Sequence, residues 1–268
     1  MKITTDSFKY YVNVRQSDPD LPYLLMFHGF MGRGMSFKPL VNSLKPFCNP
    51  VTVDLAGHGR TTSPEDPEHY SAERQIAHWE SILNQLELEN LFIYGYSMGG
   101  RLAFQLLAAY PERFTGALIE SAHCGIFSEA EREKRKEKDE ERAVEMVADF
   151  DAFIENWQKL PLFYAPGADS SNGHYEEIMR KQKPEWLRAS LLGFGTGSMP
   201  PVCNKLTDIE LPVTLLAGEY DKKYCRILFD ISKLNPGFTF VKAEGAAHRV
   251  HRDRPDTLVM ELRLLLDR

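Results

Sequence analysis

Cysteine and long apolar runs are both scarce in this chain. Its four cysteines, Cys48, Cys124, Cys203 and Cys225, form no C-x-x-C pair, which excludes zinc-ribbon and thioredoxin-like motifs. No segment reaches the roughly 18 consecutive apolar residues that a membrane-spanning helix needs. Residues 1–6 contain no apolar stretch of the kind found in signal peptides. We therefore expect a cytoplasmic protein without membrane insertion, whose cysteines are reduced thiols.

The charge of the chain argues against polyanionic partners. The formal net charge is −6, and the apolar and charged fractions of 43% and 26% are ordinary for a globular protein. A net negative protein is a poor partner for nucleic acid or for a membrane surface. A local basic pocket for a small anionic ligand remains compatible with this charge. No spacing of histidine, cysteine and carboxylate side chains predicts a metal site.

Short β-rich runs alternate with helix-like segments towards both ends of the chain. Strands are predicted at 8–14, 23–27, 51–53, 91–94, 117–119, 213–217 and 238–241, and helices at 71–86, 101–109, 224–234 and 255–266. Strands that alternate with helices are typical of an α/β protein, with a mostly parallel sheet covered by helices on both faces.

The pattern changes between the two ends. Residues 129–142 are almost entirely charged, and helix-like spacing without a strand follows from Val144. We interpret residues 124–205 as a helical insertion in a core made of residues 1–123 and 206–268. Because the insertion follows a core strand, we expect it to form a cap over the carboxyl edge of the sheet, where open α/β sheets bind ligands.

Residues 95–99, with the sequence GYSMG, carry the clearest chemical signal. They follow the predicted strand 91–94 and precede a helix, which is the layout of a nucleophile elbow. So sharp a turn leaves no room for a Cβ on either side, hence the two glycines. The elbow presents the Ser97 hydroxyl above the sheet, at a helix N-terminus whose N–H groups stabilise an anion.

A catalytic serine needs a base, and the base needs an orienting carboxylate. Asp221 and His248 each follow a predicted strand at its carboxyl end, and their order after Ser97 is that of α/β hydrolases. We predict Ser97, Asp221 and His248 as the catalytic triad. Two alternatives stay open: Glu219 as the acid, with Asp221 as a helix N-cap, and His251 as the base. His251 lies in the charged run 251–254, which favours a surface position.

The strand at 23–27 is followed by the sequence HGF. Gly29 lets the backbone approach a ligand, and the N–H of Phe30 is predicted to point at the site together with that of Met98. Two such donors make an oxyanion hole. We expect His28 to hold the fold by hydrogen bonding, without a catalytic role.

Together these motifs resemble the α/β-hydrolase superfamily, and within it the MenH family. That family is 2-succinyl-6-hydroxy-2,4-cyclohexadiene-1-carboxylate synthase of menaquinone biosynthesis. The resemblance extends over nearly the whole chain and is carried by residues 95–101 (GYSMGGR), 119–122 (IESA), 156–157 (NW), 160–163 (LPLF) and 195–200 (GTGSMP). It implies an eight-stranded α/β-hydrolase sheet with a helical cap.

Arg101 can also be argued from its position. It lies one helical turn after Ser97 on the same face, and a cation so near a helix N-terminus opposes the helix dipole. We therefore predict that its guanidinium binds a substrate carboxylate. The resemblance implies a substrate with several carboxylates, further bound by cap arginines that match Arg135 and Arg180. It also implies that Tyr96 and Trp157 line the pocket.

The resemblance implies a lyase reaction without a metal or an organic cofactor. Pyruvate would be eliminated from 2-succinyl-5-enolpyruvyl-6-hydroxy-3-cyclohexene-1-carboxylate, with the triad as the base and the oxyanion hole stabilising enolate-like charge. Two other functions fit the same motifs. One is a serine hydrolase that cleaves esters or carbon–carbon bonds, and the other is a non-catalytic ligand receptor. The sequence does not indicate an oligomeric state.

Overall fold

Eight strands form one sheet in the computed structural model, which describes residues 1–16, 18–167 and 173–268. The strands are β1 (Lys2–Thr4), β2 (Lys9–Val14), β3 (Tyr23–Phe27), β4 (Asn49–Asp54), β5 (Leu91–Tyr96), β6 (Gly116–Glu120), β7 (Val213–Gly218) and β8 (Phe238–Ala243). Their order is β1-β2-β4-β3-β5-β6-β7-β8. Only β2 runs antiparallel to its neighbours β1 and β4, and all other pairs are parallel. The predicted mostly parallel sheet is confirmed.

Helices cover both faces of this sheet. They are α1 (Lys38–Leu44), α2 (Ala72–Leu86), α3 (Met98–Ala109), α4 (Glu129–Ala148), α5 (Phe150–Gln158), α6 (Gly173–Arg180), α7 (Pro184–Phe194), α8 (Lys222–Ser232), α9 (Val250–Asp253) and α10 (Pro255–Leu266). None of the described helices is both long and apolar enough to cross a membrane.

The alternation of side chains along β3 shows how the two faces are filled. Leu25 and Phe27 belong to the apolar cluster that contains residues of α2, α3 and α8. Leu24 and Met26 belong to a second cluster, with residues of α1 and α10. Successive strand residues point to opposite faces, so a continuous apolar run is what a strand buried on both sides requires.

The strand register brings the loops of the candidate site to one edge. Tyr96 pairs with Glu120, and Glu120 pairs with Leu216. Gly218 pairs with Ala243 in the next pair of strands. The loops after β5, β6, β7 and β8 therefore leave the sheet side by side, at the edge where open α/β sheets bind ligands.

Four helices, α4 to α7, lie between β6 and β7 and correspond to the predicted insertion 124–205, here called the cap. Within the described part of this segment there is no strand. Its inner side chains form a third apolar cluster, which includes Met146, Phe153 and Leu187 together with Met31 of the core. Met31 has a left-handed φ of 59° in the loop after β3. The bounds 124 and 205 stay a prediction.

The expectation that all four cysteines are free thiols is wrong for two of them. Cys124 and Cys203 form a disulfide, with their Cα atoms 5.1 Å apart, while Cys48 and Cys225 are free. The separation of 79 residues hides this pair in the sequence. It arises because the segments before α4 and after α7 lie side by side, where the N–H of Val202 donates to the Cys124 carbonyl at 2.7 Å.

Reduction of this disulfide is expected to destabilise the fold. Opening a long loop raises the entropy of the unfolded chain, so the free energy of unfolding should fall by roughly 2–4 kcal/mol. Urea unfolding with and without a reductant measures the change, with Cys203→Ser as the permanently open form. Cys225→Ser serves as the control and should keep the full response to reductant. Equal unfolding midpoints with and without reductant would contradict the expectation.

Candidate active site

Ser97 occupies the turn between β5 and α3. Its φ of 51° and ψ of −108° are unusual for a residue with a side chain, and its N–H donates to the Glu120 carbonyl at 2.9 Å. The flanking glycines explain how the turn closes. A Cβ on Gly95 would lie 2.6 Å from the carbonyl oxygen of Gly99, and one on Gly99 would overlap the Phe27 carbonyl. The strained serine is therefore held by a close approach that only glycine permits.

Three side chains form a hydrogen-bonded chain at the elbow. The Ser97 Oγ lies 3.1 Å from His248 Nε2, and His248 Nδ1 lies 2.5 Å from Asp221 Oδ2. Asp221 also accepts from the N–H of Tyr224 at 3.3 Å, so it caps α8 while it contacts the histidine. Glu219 accepts instead from the N–H of Gly245 at 3.0 Å. The arrangement has the connectivity of a serine–histidine–carboxylate triad.

His251 does not lie on the surface, contrary to the expectation from its charged neighbours. It is buried, and its Nδ1 lies 2.8 Å from Glu120 Oε1 while its Nε2 contacts the hydroxyl of Tyr175. The other oxygen of Glu120 accepts from the Tyr94 hydroxyl at 2.5 Å. This chain of polar groups runs from the sheet to α6 of the cap, and His251 makes no hydrogen bond to Ser97 among the described contacts.

Glu120 is the centre of that buried network, and Glu120→Gln tests its contribution. The carboxylate accepts from the Tyr94 hydroxyl and from two N–H groups of His251. An amide NH₂ in its place has to face one of these donors. We expect the free energy of unfolding to fall by about 2 kcal/mol, measured by urea unfolding. The exposed Glu244→Gln is the control, and equal effects of the two substitutions would contradict this role.

Two backbone amides face the pocket beside Ser97. Phe30 and Met98 both line the cavity, and in the described part of the chain neither N–H has a hydrogen-bond partner. Met98 is the first residue of α3, whose N–H has no partner within the helix. Next to Phe30, His28 is engaged through both ring nitrogens, at 2.8 Å from the Gly29 carbonyl and 3.0 Å from the N–H of Leu55. Its burial lowers its pKa to about 4.

The cavity over Ser97 has a volume of about 290 Å³ and a strongly basic wall. Asp221 supplies the one carboxylate among its described lining residues, and that group is held by His248. The lining cations are Arg101, Arg135, Lys138, Arg142, Lys223 and Arg249. Such a wall attracts an anionic ligand, although the net charge of the whole chain is −6.

Arg101 lies at the cap side of this cavity. It is buried, and its Nη1 donates to the Phe194 carbonyl at 2.8 Å and approaches the Met199 sulfur at 3.5 Å. Burial, and to a lesser extent the charge of Arg135, lower the pKa of Arg101. No described carboxylate forms an ion pair with it. A buried cation without an anionic partner is the arrangement expected of an anion-binding group.

The remaining predicted residues divide into two groups. Tyr96, Trp157 and Arg135 line the cavity, and Arg135 is paired with Asp139 at 2.9 Å. Arg180 does not belong to the described lining. It is exposed and forms ion pairs with Asp151 and, at 2.9 Å, with Glu176, because α6 turns this side chain towards α5 and the solvent.

Four lining cations were not singled out from the sequence: Lys138, Arg142, Lys223 and Arg249. Lys138 and Arg142 lie in the charged run of α4, whose spacing alone does not show which face turns inward. Burial, followed by the charge of Arg135, lowers the pKa of Lys223. Arg249 directly follows His248, and that adjacency to the predicted base was the available signal.

Comparison with known proteins supports the fold described above and also indicates the family. Residues 22–223 match the family model described as the α/β hydrolase fold. The chain is 33% identical to the putative 2-succinyl-6-hydroxy-2,4-cyclohexadiene-1-carboxylate synthase of Bacillus subtilis, and the match covers 85% of this chain and 84% of that protein. The chain belongs to the MenH family of α/β hydrolases. The family resemblance inferred from the motifs is thereby confirmed.

Two further comparisons cover almost the whole chain. The structure of MenH from S. aureus superposes with a TM-score of 0.87 at 26% identity, covering 98% of both chains. The 2-succinyl-6-hydroxy-2,4-cyclohexadiene-1-carboxylate synthase of Citrobacter koseri is 27% identical, over 92% of this chain and 96% of that protein. Both matches include the cap, so the likeness to the MenH family is not limited to the hydrolase core.

Proposed function

We propose that this protein is the lyase of menaquinone biosynthesis that eliminates pyruvate from 2-succinyl-5-enolpyruvyl-6-hydroxy-3-cyclohexene-1-carboxylate, giving 2-succinyl-6-hydroxy-2,4-cyclohexadiene-1-carboxylate. The observation that carries the proposal is the hydrogen-bonded set Ser97–His248–Asp221 inside a cavity walled by six cations. A neutral ester has no negative charge for these cations to bind. A substrate with three carboxylates requires cations that bind its negative charges.

In the proposed mechanism Ser97 acts as a base. His248 Nε2 takes the Ser97 proton, and Asp221 stabilises the resulting imidazolium. The serine oxygen then removes the proton from ring carbon 2, next to the succinyl ketone. The electron pair shifts through the ring double bond and breaks the bond between carbon 5 and the enolpyruvyl oxygen. The departing enolpyruvate takes the proton from His248 and becomes pyruvate, so the reaction needs no water.

The ketone oxygen gains negative charge as the ring proton leaves. The unpartnered N–H groups of Phe30 and Met98 are suited to hold it, because donors fixed in advance need no reorganisation at the moment of reaction. General base catalysis contributes about 10²–10⁴-fold. The lining arginines, Arg101 among them, orient the carboxylates of the substrate, which brings the ring proton to Ser97.

The direct assay follows pyruvate from the enolpyruvyl substrate, with hydrolysis of a neutral aryl ester measured on the same preparation. The proposal predicts rapid pyruvate release and weak ester hydrolysis. The reverse result would contradict it and indicate a serine hydrolase on the same fold. A complementation test separates both enzymes from a ligand receptor, because a receptor would keep its biological activity after Ser97→Ala.

A further inference from the structure

Arg249 is a buried cation in the cavity wall that the proposed mechanism does not use. It follows His248 in the chain, is only 3% exposed and lines the cavity. Its guanidinium lies between two aromatic rings of the cap, 3.8 Å from the centre of the Phe163 ring and 4.9 Å from that of Tyr175. The two rings cover the planar group, while its Nη1 makes no hydrogen bond and the residue lines the cavity.

The charge of Arg249 has no anionic partner in the part of the chain that the structure describes. Among the described residues no carboxylate forms an ion pair with Arg249, and its Nη1 is buried without any hydrogen-bond partner. Glu120 and Asp253 are engaged elsewhere: Glu120 accepts from Tyr94 and His251, and Asp253 accepts from the N–H of Ala247 at 2.9 Å. The Tyr96 hydroxyl faces the guanidinium but is neutral, since burial raises its pKa well above the usual value.

Arg101 shares this lack of an anionic partner among the described residues, whereas three other arginines differ. Arg135 and Arg142 both pair with Asp139, and Arg180 pairs with Asp151 and Glu176. A buried charge without a partner is destabilising. A guanidinium held on aromatic rings without an anionic partner is well suited to bind a carboxylate.

Arg249 and Arg101 belong to different parts of the wall. Arg101 contacts Phe194 and Met199, whereas the rings around Arg249 are Phe163 and Tyr175. The two arginines share none of these contacts, so they provide two separate points for anionic groups. Because Arg249 is joined to His248, its point borders the proposed base.

We propose that Arg249, clamped between Phe163 and Tyr175, binds a second carboxylate of the ligand, separate from the one held by Arg101. The inference rests on the proposed function only for the identity of the substrate, which carries three carboxylates. It makes Arg249 a specificity-determining residue that requires its ligand to be at least a dicarboxylate.

Calorimetry of ligand binding tests the role of Arg249 without turnover. The two probes are pyruvate and 2-succinylbenzoate, which has the two carboxylates of the proposed product on an aromatic ring. Arg249→Met keeps the apolar stem and removes the charge. It should weaken binding of at least one probe by roughly 10- to 100-fold. Arg249→Lys should fall between wild type and Arg249→Met, because an ammonium cannot make the paired hydrogen bonds.

Arg252→Gln is the matched control, since it removes a cation of the same helix α9 that does not line the cavity. It should bind both probes like wild type. The thermal midpoint of ligand-free Arg249→Met adds a second readout. A ligand-binding role predicts a midpoint equal to or above that of wild type, and a purely structural role predicts a lower one.

Unchanged binding of both probes in Arg249→Met, or a wild-type protein that binds neither, would overturn the inference. Equal losses in Arg249→Met and Arg252→Gln would also overturn it, because they would indicate a general effect of charge. Failure of the proposed function gives a different result. A wild type that binds the probes through Arg249 but releases no pyruvate would contradict the lyase and leave this inference standing.

Discussion

Ser97→Ala is expected to lower the rate of pyruvate release by about 10³-fold or more while leaving substrate binding nearly intact. The proposed reaction begins with transfer of a proton from Ser97 to His248, whose Nε2 lies 3.1 Å from Ser97 Oγ. Alanine removes the base itself, a loss that reaches the upper part of the range for general base catalysis. The amides of Phe30 and Met98 and the cationic wall remain in place and keep the binding energy.

The measurement is kcat and KM for pyruvate release, followed with a coupled assay. Ser190→Ala is the matched control, because Ser190 is another buried serine of the same cavity that makes no contact with His248 in the described structure. It should change kcat by only a few-fold. A kcat for Ser97→Ala within tenfold of wild type would contradict the role of Ser97 as the base.

Arg101→Ala should reduce kcat/KM for the carboxylated substrate by about 10²–10³-fold, since truncating one partner of a buried charge pair is worth roughly 2–5 kcal/mol. Hydrolysis of a neutral aryl ester, if it occurs at all, should change little. The difference between the losses of activity on the two substrates distinguishes recognition of a carboxylate from a general loss of structure.

A control is needed because Arg101 also holds the cap through the Phe194 carbonyl. Gln105 lies one turn further along α3, and its amide donates to the Pro200 carbonyl at 2.8 Å. Gln105→Ala therefore removes a similar neutral anchor to the same segment of the cap. It should affect both substrates equally and weakly. If Arg101→Ala lowered turnover of both substrates by the same factor, Arg101 would be a structural residue.

The strands and helices of the core could be predicted from the sequence because each depends on a pattern of neighbouring residues. Residues 23–27 and 255–266 were predicted with the bounds that the structure has for β3 and α10. The unbroken apolar run of β3 reflects burial on both faces. The elbow could be predicted equally well, because the steric requirement for glycine around Ser97 involves only five consecutive residues.

Contacts between distant segments could not be read in the same way. Cys124 and Cys203 are neighbours only because the segments before α4 and after α7 come together in the fold. His251 was expected on the surface because its sequence neighbours are charged, but the carboxylate of Glu120 on β6 pairs with it inside. The polarity of neighbouring residues in the sequence predicts whether a segment is exposed on average. It does not show whether one polar side chain of that segment is buried against a partner from a distant element.

The arginines of the cap illustrate the same limit. Arg135 lines the cavity and Arg180 turns away from it, although both match family positions in the sequence. Which face of a charged helix points inward is decided by packing against the core, and the charged run of α4 contains no apolar stripe strong enough to reveal it. Arg249 was not singled out because it stands just before the charged run 251–254, which is typical of a solvated surface.

In the proposed reaction Ser97 removes a proton and is not acylated. Intact-mass spectrometry of the protein during steady turnover of the enolpyruvyl substrate, with pyruvate measured in the same sample, tests it most directly. We expect one pyruvate for each substrate consumed and a protein that stays at its unmodified mass throughout. A protein that accumulates a covalent adduct on Ser97 while the enolpyruvyl group stays on the ring would contradict it.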